Sequence, residues 1–224
     1  MTVSPSKVQL DFDRIAAVSD EKWNHNSHYH SYLLKHITSS GLDALEIGCG
    51  TGTFSRLLAQ RFRRVLALDL SPQMIEVAKE RSKEYHNIDF QVADAMTYEF
   101  SPEQFDCIAS IATLHHLPFE LMLSKIKSIL KPEGTLLILD LLQAGGLSYF
   151  STAILAIPVS IGFRLLKCGR IRESAEAQAA WAEHGRTDTY LTLSEVRQAS
   201  ARVLPKARVK RHLLWRYSLV WQKD

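Results

Sequence analysis

Apolar and polar positions change period several times along this chain, and each change marks an element. Residues 42–47 are a short apolar run, 53–61 carry helical spacing, and 65–70 read as a strand. Ser71 and Pro72 then look like the N-cap and first residue of a helix running to about Lys83. Residues 88–92 and 105–111 are predicted strands, 119–130 a helix, and Lys131-Pro132-Glu133-Gly134 a turn. Residues 135–142 are continuously apolar, as in a strand covered on both faces. Upstream, 7–37 read as one or two helices. Downstream, 147–184 read as helical, 192–202 as a short helix capped by Thr192 or Ser194, and 207–213 and 215–222 as two alternating strands. Strand–helix alternation implies a parallel sheet with helices on both faces, here closed by an antiparallel hairpin.

The chain has 224 residues, 46% of them hydrophobic, enough for one domain with a real core. A net charge of +3 does not demand a polyanionic partner, although nearly half of the 27 basic residues fall after residue 160. Three scattered cysteines form neither a disulfide framework nor a zinc ribbon. The first residues carry no apolar signal region, so a reduced, cytoplasmic protein is expected. Residues 141–163 contain no charge. Their length would admit a membrane span, but glycines, serines and Pro158 dilute the apolar content.

The glycine-rich stretch LEIGCGTG, residues 45–52, ends the first predicted strand. Its spacing is G-x-G-x-G (Gly48, Gly50, Gly52), with Thr53 where a dinucleotide fingerprint needs its third glycine. Glu46 would sit poorly beside a pyrophosphate and well beside an ammonium group. Asp69, closing the next strand, is placed to accept ribose hydroxyls. Together these residues point to an adenosine cofactor without a diphosphate.

At this point the chain resembles the class I S-adenosylmethionine-dependent methyltransferases of the small-molecule type, similar to those of quinone and natural-product pathways. LEIGCGTGTFS, VLALDLSPQMIEVAKERS, VADAMTYEF, FDCIASIATLHHLP and LKPEGTLLILDL fall in the family's order over about residues 42–142. The resemblance implies a Rossmann-like seven-stranded sheet with an antiparallel last strand, an N-terminal helical cover (1–41) and a helical lid after the fifth strand (143–190), all in one domain of 1–224. It implies S-adenosylmethionine as cofactor. Gly48, Gly50 and Gly52 would admit the methionine and ribose, with Cys49 a small loop residue among them. Glu46 would lie near the methionine end and Asp69 at the ribose, with Leu70 and Met74 beside the adenosine. Asp94, with Ala95, would face the adenine, although Asp94 could equally cap a helix. Ser110 or Ile111 would line the sulfur.

The acceptor should lie beyond the fourth strand. His115 and His116 are the candidate bases there, imidazole titrating near neutrality; they could equally serve packing and capping. Residues 110–113 lack the Asn/Asp-Pro-Pro-aromatic run of enzymes that methylate DNA bases or protein glutamine. Carboxylates of the metal-dependent catechol type are missing at this strand end, arsenite-type cysteines are missing too, and no metal is expected. In WNHNSHYHSY (23–32), Tyr29, His25 and Asn26 are candidate pocket residues. Asn26 could instead cap a solvated helix. In the lid, Phe150, Ile154, Leu155 and Ile161 are expected to face the pocket or the sheet, and His184 and Asp188 are possible acceptor contacts. An apolar lid suggests a hydrophobic or aromatic acceptor, methylated most readily at oxygen. Contact of 143–172 with a membrane surface is the alternative role for that segment. N-, C- or S-methylation, RNA methylation through the basic tail, and a non-catalytic binding module remain as other readings. No nucleic-acid partner is expected, and a monomer or homodimer fits.

Overall fold

A computed structural model describes residues 5–18, 23–37, 41–143, 147–186 and 188–224, with the side chains of 5–6 and 147–153 outside that description. Seven strands form one sheet: β1 (Asp43–Ile47), β2 (Arg64–Asp69), β3 (Ile88–Val92), β4 (Phe105–Ile111), β5 (Leu130–Leu141), β6 (Arg208–Arg211) and β7 (Arg216–Gln222). Their order is β3-β2-β1-β4-β5-β7-β6. The first five are parallel, and β7 runs antiparallel to both β5 and β6. This is the expected sheet, with β5 longer than predicted. The Lys131–Gly134 turn lies inside the strand, with Glu133 at φ +62° and a register shift opposite Phe105 and Cys107.

Eight helices connect or cover the strands among the described residues: α1 (Pro5–Val18), α2 (His30–Leu34), α3 (Thr53–Ala59), α4 (Pro72–Arg81), α5 (Phe119–Ile129), α6 (Leu147–Cys168), α7 (Ala175–His184) and α8 (Leu193–Val203). Their ends follow local chemistry. The Ser71 side chain accepts from the Met74 N–H, with Pro72 at the first helical position. Thr192 and Glu195 form a reciprocal capping box on α8, a device worth about 1 kcal/mol.

Alternation along β5 divides the core. Leu136 and Ile138 face α5 and α8 with Leu45, Ile108, Met122, Leu123 and Val196. Leu137 and Leu139 face the other way, with Leu33, Phe54, Leu58, Ala156 and Leu214. Chain order reverses between β1 and β4, and ligands of such sheets bind beyond the strand ends at that switch. Glu46, Asp69 and Ile111, at the carboxyl ends of β1, β2 and β4, meet there.

The region 147–184 is two helices rather than one, broken around Gly169, whose φ is +68°. α6 turns Ala156, Val159 and Phe163 toward the core, and Phe163 stacks on Trp23 at 5.9 Å. Ile154 is therefore 72% exposed, and Leu155 and Ile161 also point outward. That corrects the expectation that Ile154, Leu155 and Ile161 face the pocket or the sheet; these three large apolar side chains of α6 lie at the surface. Among the described residues no helix is long and apolar enough to cross a membrane. Phe150 lies outside the described side chains.

Candidate active site

Two cavities lie beyond the strand ends and share Phe12, Asn24, Asn26, Ala112 and Trp181. The first is walled by the glycine loop and the ends of β1, β2 and β4. Gly48, Gly50 and Gly52 all have positive φ, at +72°, +51° and +77°, a conformation that penalises any side chain. Their surroundings separate their roles. A Cβ on Gly48 would stand 2.1 Å from the Thr113 hydroxyl, so this glycine lets β1 and the end of β4 approach. A Cβ on Gly52 would meet Phe90 at 2.9 Å; it serves packing and does not border the cavity, against expectation. Gly50 has nothing within 4 Å and lines the cavity, which leaves its backbone open to a ligand.

The acids are placed by these turns. Asp69 accepts from the Gly50 N–H at 2.8 Å through one oxygen and from the Ser71 N–H at 2.9 Å through the other. Each oxygen keeps a lone pair for a ribose hydroxyl. Burial lifts its carboxyl above the ordinary value, and the amide bonds oppose that rise. Glu46 is 1% exposed and accepts from the Ser55 hydroxyl of α3. Burial pushes its carboxyl up to about 8; the Ser55 bond works against the rise and the neighbouring Asp69 adds to it. A cation bound here would draw Glu46 into its charged form. Asp94 accepts from the Met96 N–H at 2.8 Å, closing a turn rather than capping a helix, and also borders the cavity. Cys49, Leu70, Met74, Ala95 and Ile111 line this cavity too. An adenosine-plus-amino-acid ligand fits this donor and acceptor set.

Two expected members are elsewhere. Ser110 is fully buried and donates to the Ile47 carbonyl at 3.0 Å, because strand alternation turns it between β1 and β4. Tyr29 is buried under the sheet edge, its hydroxyl accepting from the Leu214 N–H at 3.1 Å. His30 takes the place at the cavity wall, its pKa lowered to about 4 by burial. The turn at 24–29 is capped by Asn24, whose side chain accepts from the Asn26 and Ser27 N–H groups, rather than by Asn26.

The second cavity, of about 330 Å³, holds most of the expected acceptor residues. His25, Asn26, His115, His184 and Asp188 line it, with Tyr190, Arg164 and Arg216. His25 bonds Ser160 of α6 at 2.7 Å, and its pKa falls to about 4 through burial and then Arg216. Arg216 donates to the Asn26 side chain at 2.6 Å, tying the N-terminal segment to β7; burial lowers its pKa to about 10. The His115 Nδ1 lies 2.7 Å from Asp140, the single charged side chain in the apolar run of β5. Burial raises the Asp140 carboxyl, but His115 beside it wins and holds it below the ordinary value. His116 borders the first cavity instead; burial, then His115 and His184, lower its pKa to about 3.

This geometry is that of an α/β domain with a cavity fitted to a nucleoside cofactor beside a second cavity. Residues 44–134 match the family described as methyltransferase domain. The chain is 29% identical over 149 residues to a ubiquinone biosynthesis O-methyltransferase of Coxiella burnetii, a match covering 60% of this chain and 64% of that protein. It thus spans less than two thirds of that relative. An uncharacterized methyltransferase of Mycobacterium tuberculosis is 28% identical over 91% of this chain and 98% of its own length. Among solved structures, an S-adenosylmethionine-dependent methyltransferase of Aquifex aeolicus superposes with a TM-score of 0.59 at 17% identity, covering 99% of this chain and 100% of that one. The chain is thus similar, in the sequence of residues 44–134 and in its fold, to S-adenosylmethionine-dependent methyltransferases.

Proposed function

We propose that this chain transfers the methyl group of S-adenosylmethionine to the oxygen of a small aromatic hydroxy compound. The observation that carries the proposal is the buried His115–Asp140 pair on the wall of a second cavity that shares five residues with the first. The sulfonium supplies the reactive methyl; the chain's task is alignment and proton removal. Asp69, Glu46 and Asp94 hold the cofactor, and Phe12 and Trp181 border the acceptor ring where the cavities meet. Asp140 fixes the His115 ring through Nδ1, so Nε2 carries the free lone pair. The acceptor hydroxyl gives its proton to that Nε2 and its oxygen bonds the methyl carbon. The carbon–sulfur bond breaks, leaving S-adenosylhomocysteine, a methyl ether and an imidazolium stabilised by Asp140, which then loses its proton to water. Arg216 on the same wall suits an acceptor with an acidic substituent, Arg164 there being paired with Glu173 at 2.8 Å. These aromatic walls, rather than the outward-facing Ile154, Leu155 and Ile161 of α6, support an apolar acceptor. Within the expected lid, α7 with α1 is the part that covers both cavities, through Trp181 and Phe12.

The test compares hydroxybenzoates with the matching phenols as acceptors, measuring S-adenosylhomocysteine release. The proposal expects turnover of both, with a KM at least tenfold lower for the acids, the scale of one charge-assisted hydrogen bond. Turnover confined to amines or thiols would refute it.

A further inference from the structure

Beyond the cofactor and acceptor sites, three imidazoles crowd around one carboxylate at the base of the second cavity. His115, His116, His184 and Asp188 each offer a ligand atom, all within 4.8 Å of one another. They come from the turn after β4 and from the end of α7 and the loop beyond it, segments about 70 residues apart in the chain.

The tautomers make this arrangement unusual. The His115 Nδ1 faces Asp140 at 2.7 Å, and the His184 Nδ1 faces Asp11 at 3.4 Å. With its Nδ1–H directed to Asp140, His115 turns its Nε2 lone pair toward Asp188, and His184 lies between Asp11 and Asp188. The distances to Asp188 are 3.8 Å from His115 Nε2, 3.4 Å from His184 Nε2 and 3.6 Å from His116 Nδ1. Hydrogen bonds between such atoms run about 2.7–3.2 Å, so the 3.8 and 3.6 Å separations of His115 and His116 are too long, and both 3.4 Å contacts of His184 are long alike. Ligands about 2.0–2.1 Å from a tetrahedral metal lie about 3.3 Å from each other, close to the shorter of these separations. The widest separation in the set, within 4.8 Å, leaves up to about 1.5 Å to close by side-chain rotation.

Every ligand is buried, with side-chain exposures of 6% for His115, 7% for His116, 5% for His184 and 3% for Asp188. The His116 Nε2 is buried without any hydrogen-bond partner. Asp140 and Asp11 stand where carboxylates orient metal-bound histidines in known sites, and the Tyr190 hydroxyl donates to Asp188 at 2.9 Å.

We infer that His115, His116, His184 and Asp188 form a binding site for one divalent first-row transition-metal ion, of the zinc or iron type, on the wall of the acceptor cavity. Three imidazoles and one carboxylate select such ions over magnesium or calcium, which prefer all-oxygen shells. The ion's chemical use rests on the acceptor reading above: bordering that cavity, it would polarise an acceptor oxygen as a Lewis acid. In the ion-loaded chain His115 is then a ligand, and acidifying the hydroxyl passes from imidazole to the ion. Binding itself does not depend on that reading.

The test uses untagged, chelator-stripped full-length chain titrated calorimetrically with zinc, and with cobalt(II) followed by its visible absorption. The expected result is one ion per chain with intense cobalt bands of a four- or five-coordinate nitrogen–oxygen site. Asp188→Asn and His184→Ala each weaken zinc at least a hundredfold, while Asp140→Asn weakens it tenfold to a hundredfold through ligand orientation. S-adenosylhomocysteine binding, measured alongside, reports that each variant is folded. Absence of stoichiometric zinc binding by the unmutated chain, or binding that survives both ligand substitutions, overturns the inference. If zinc binds as described while no hydroxy compound is methylated, the acceptor reading fails and the metal site stands.

Discussion

Replacing Glu46 by Gln should stabilise the chain at alkaline pH and weaken its hold on the cofactor at once. The folded-state pKa of Glu46 is about 8, against 4.5 for the free side chain, chiefly because of burial. A carboxyl whose folded pKa is raised binds more protons folded than unfolded across that window. Stability is thus fully present below the unfolded pKa and is lost as pH rises to the folded one. The full loss is about 5 kcal/mol, from the raised pKa at 1.36 kcal/mol per unit. Between about pH 5.5 and 8 the wild-type curve should therefore fall by about 3 kcal/mol relative to Glu46→Gln, which keeps the shape and can still accept from Ser55. The variant also lacks the anion that a bound ammonium or sulfonium would recharge. Losing a charged hydrogen bond costs about 1.5–3 kcal/mol, or roughly 10–100-fold in affinity. Urea unfolding of both proteins across the pH range, with calorimetric titration of S-adenosylhomocysteine, measures the two effects. Parallel stability curves, or equal affinities, would refute the reasoning.

Four further outcomes follow from the same geometry. Gly48→Ala, forced to φ +72° against Thr113, should cost at least about 2 kcal/mol of stability, whereas Gly50→Ala should cost about 1 kcal/mol and mainly weaken S-adenosylhomocysteine; unfolding and binding curves separate them. Asp140→Asn should cut kcat by about 10²–10⁴-fold, with the cofactor dissociation constant unchanged, as measured by product release and calorimetry. Trp181→Ala should raise the KM of both substrates, since it borders both cavities, while its 45% exposure keeps the stability loss below that of a core aromatic. Arg208→Glu, on the exposed edge strand β6, should leave turnover unchanged; lost turnover would revive an RNA acceptor.

The walls of the first cavity were readable because they are local. Gly48, Gly50, Glu46 and Asp69 lie within one strand–loop–helix unit and the strand that follows, where spacing translates directly into position. Gly52 was misplaced because its constraint is a contact with Phe90 across the sheet, which spacing cannot reveal. Ser110 and Ile111 are adjacent, and only the strand's register decides which one faces the cavity. The acceptor half is assembled from α1, the 23–30 turn, α7 and β7, so Phe12, Asn24, Trp181 and Arg216 were not legible as site residues. Asp140 did leave a signal: a lone acid inside an apolar strand must be paired, and its partner is His115. The fold was legible through β7 because the central strands stand out as near-continuous apolar runs between polar turns and the last two as β-rich segments joined by a short turn. α6 was misread because an uncharged helix does not disclose which face it buries, and its small and aromatic side is the one that packs.

The most direct test of the account follows a labelled methyl group. The chain is incubated with S-adenosylmethionine carrying a ¹³C methyl and a hydroxybenzoate, and the product is read by carbon NMR. The account predicts a labelled methoxy signal, formed in step with S-adenosylhomocysteine and absent when the hydroxyl is already methylated. A label found on carbon or nitrogen, or S-adenosylhomocysteine released without any methylated product, would contradict it.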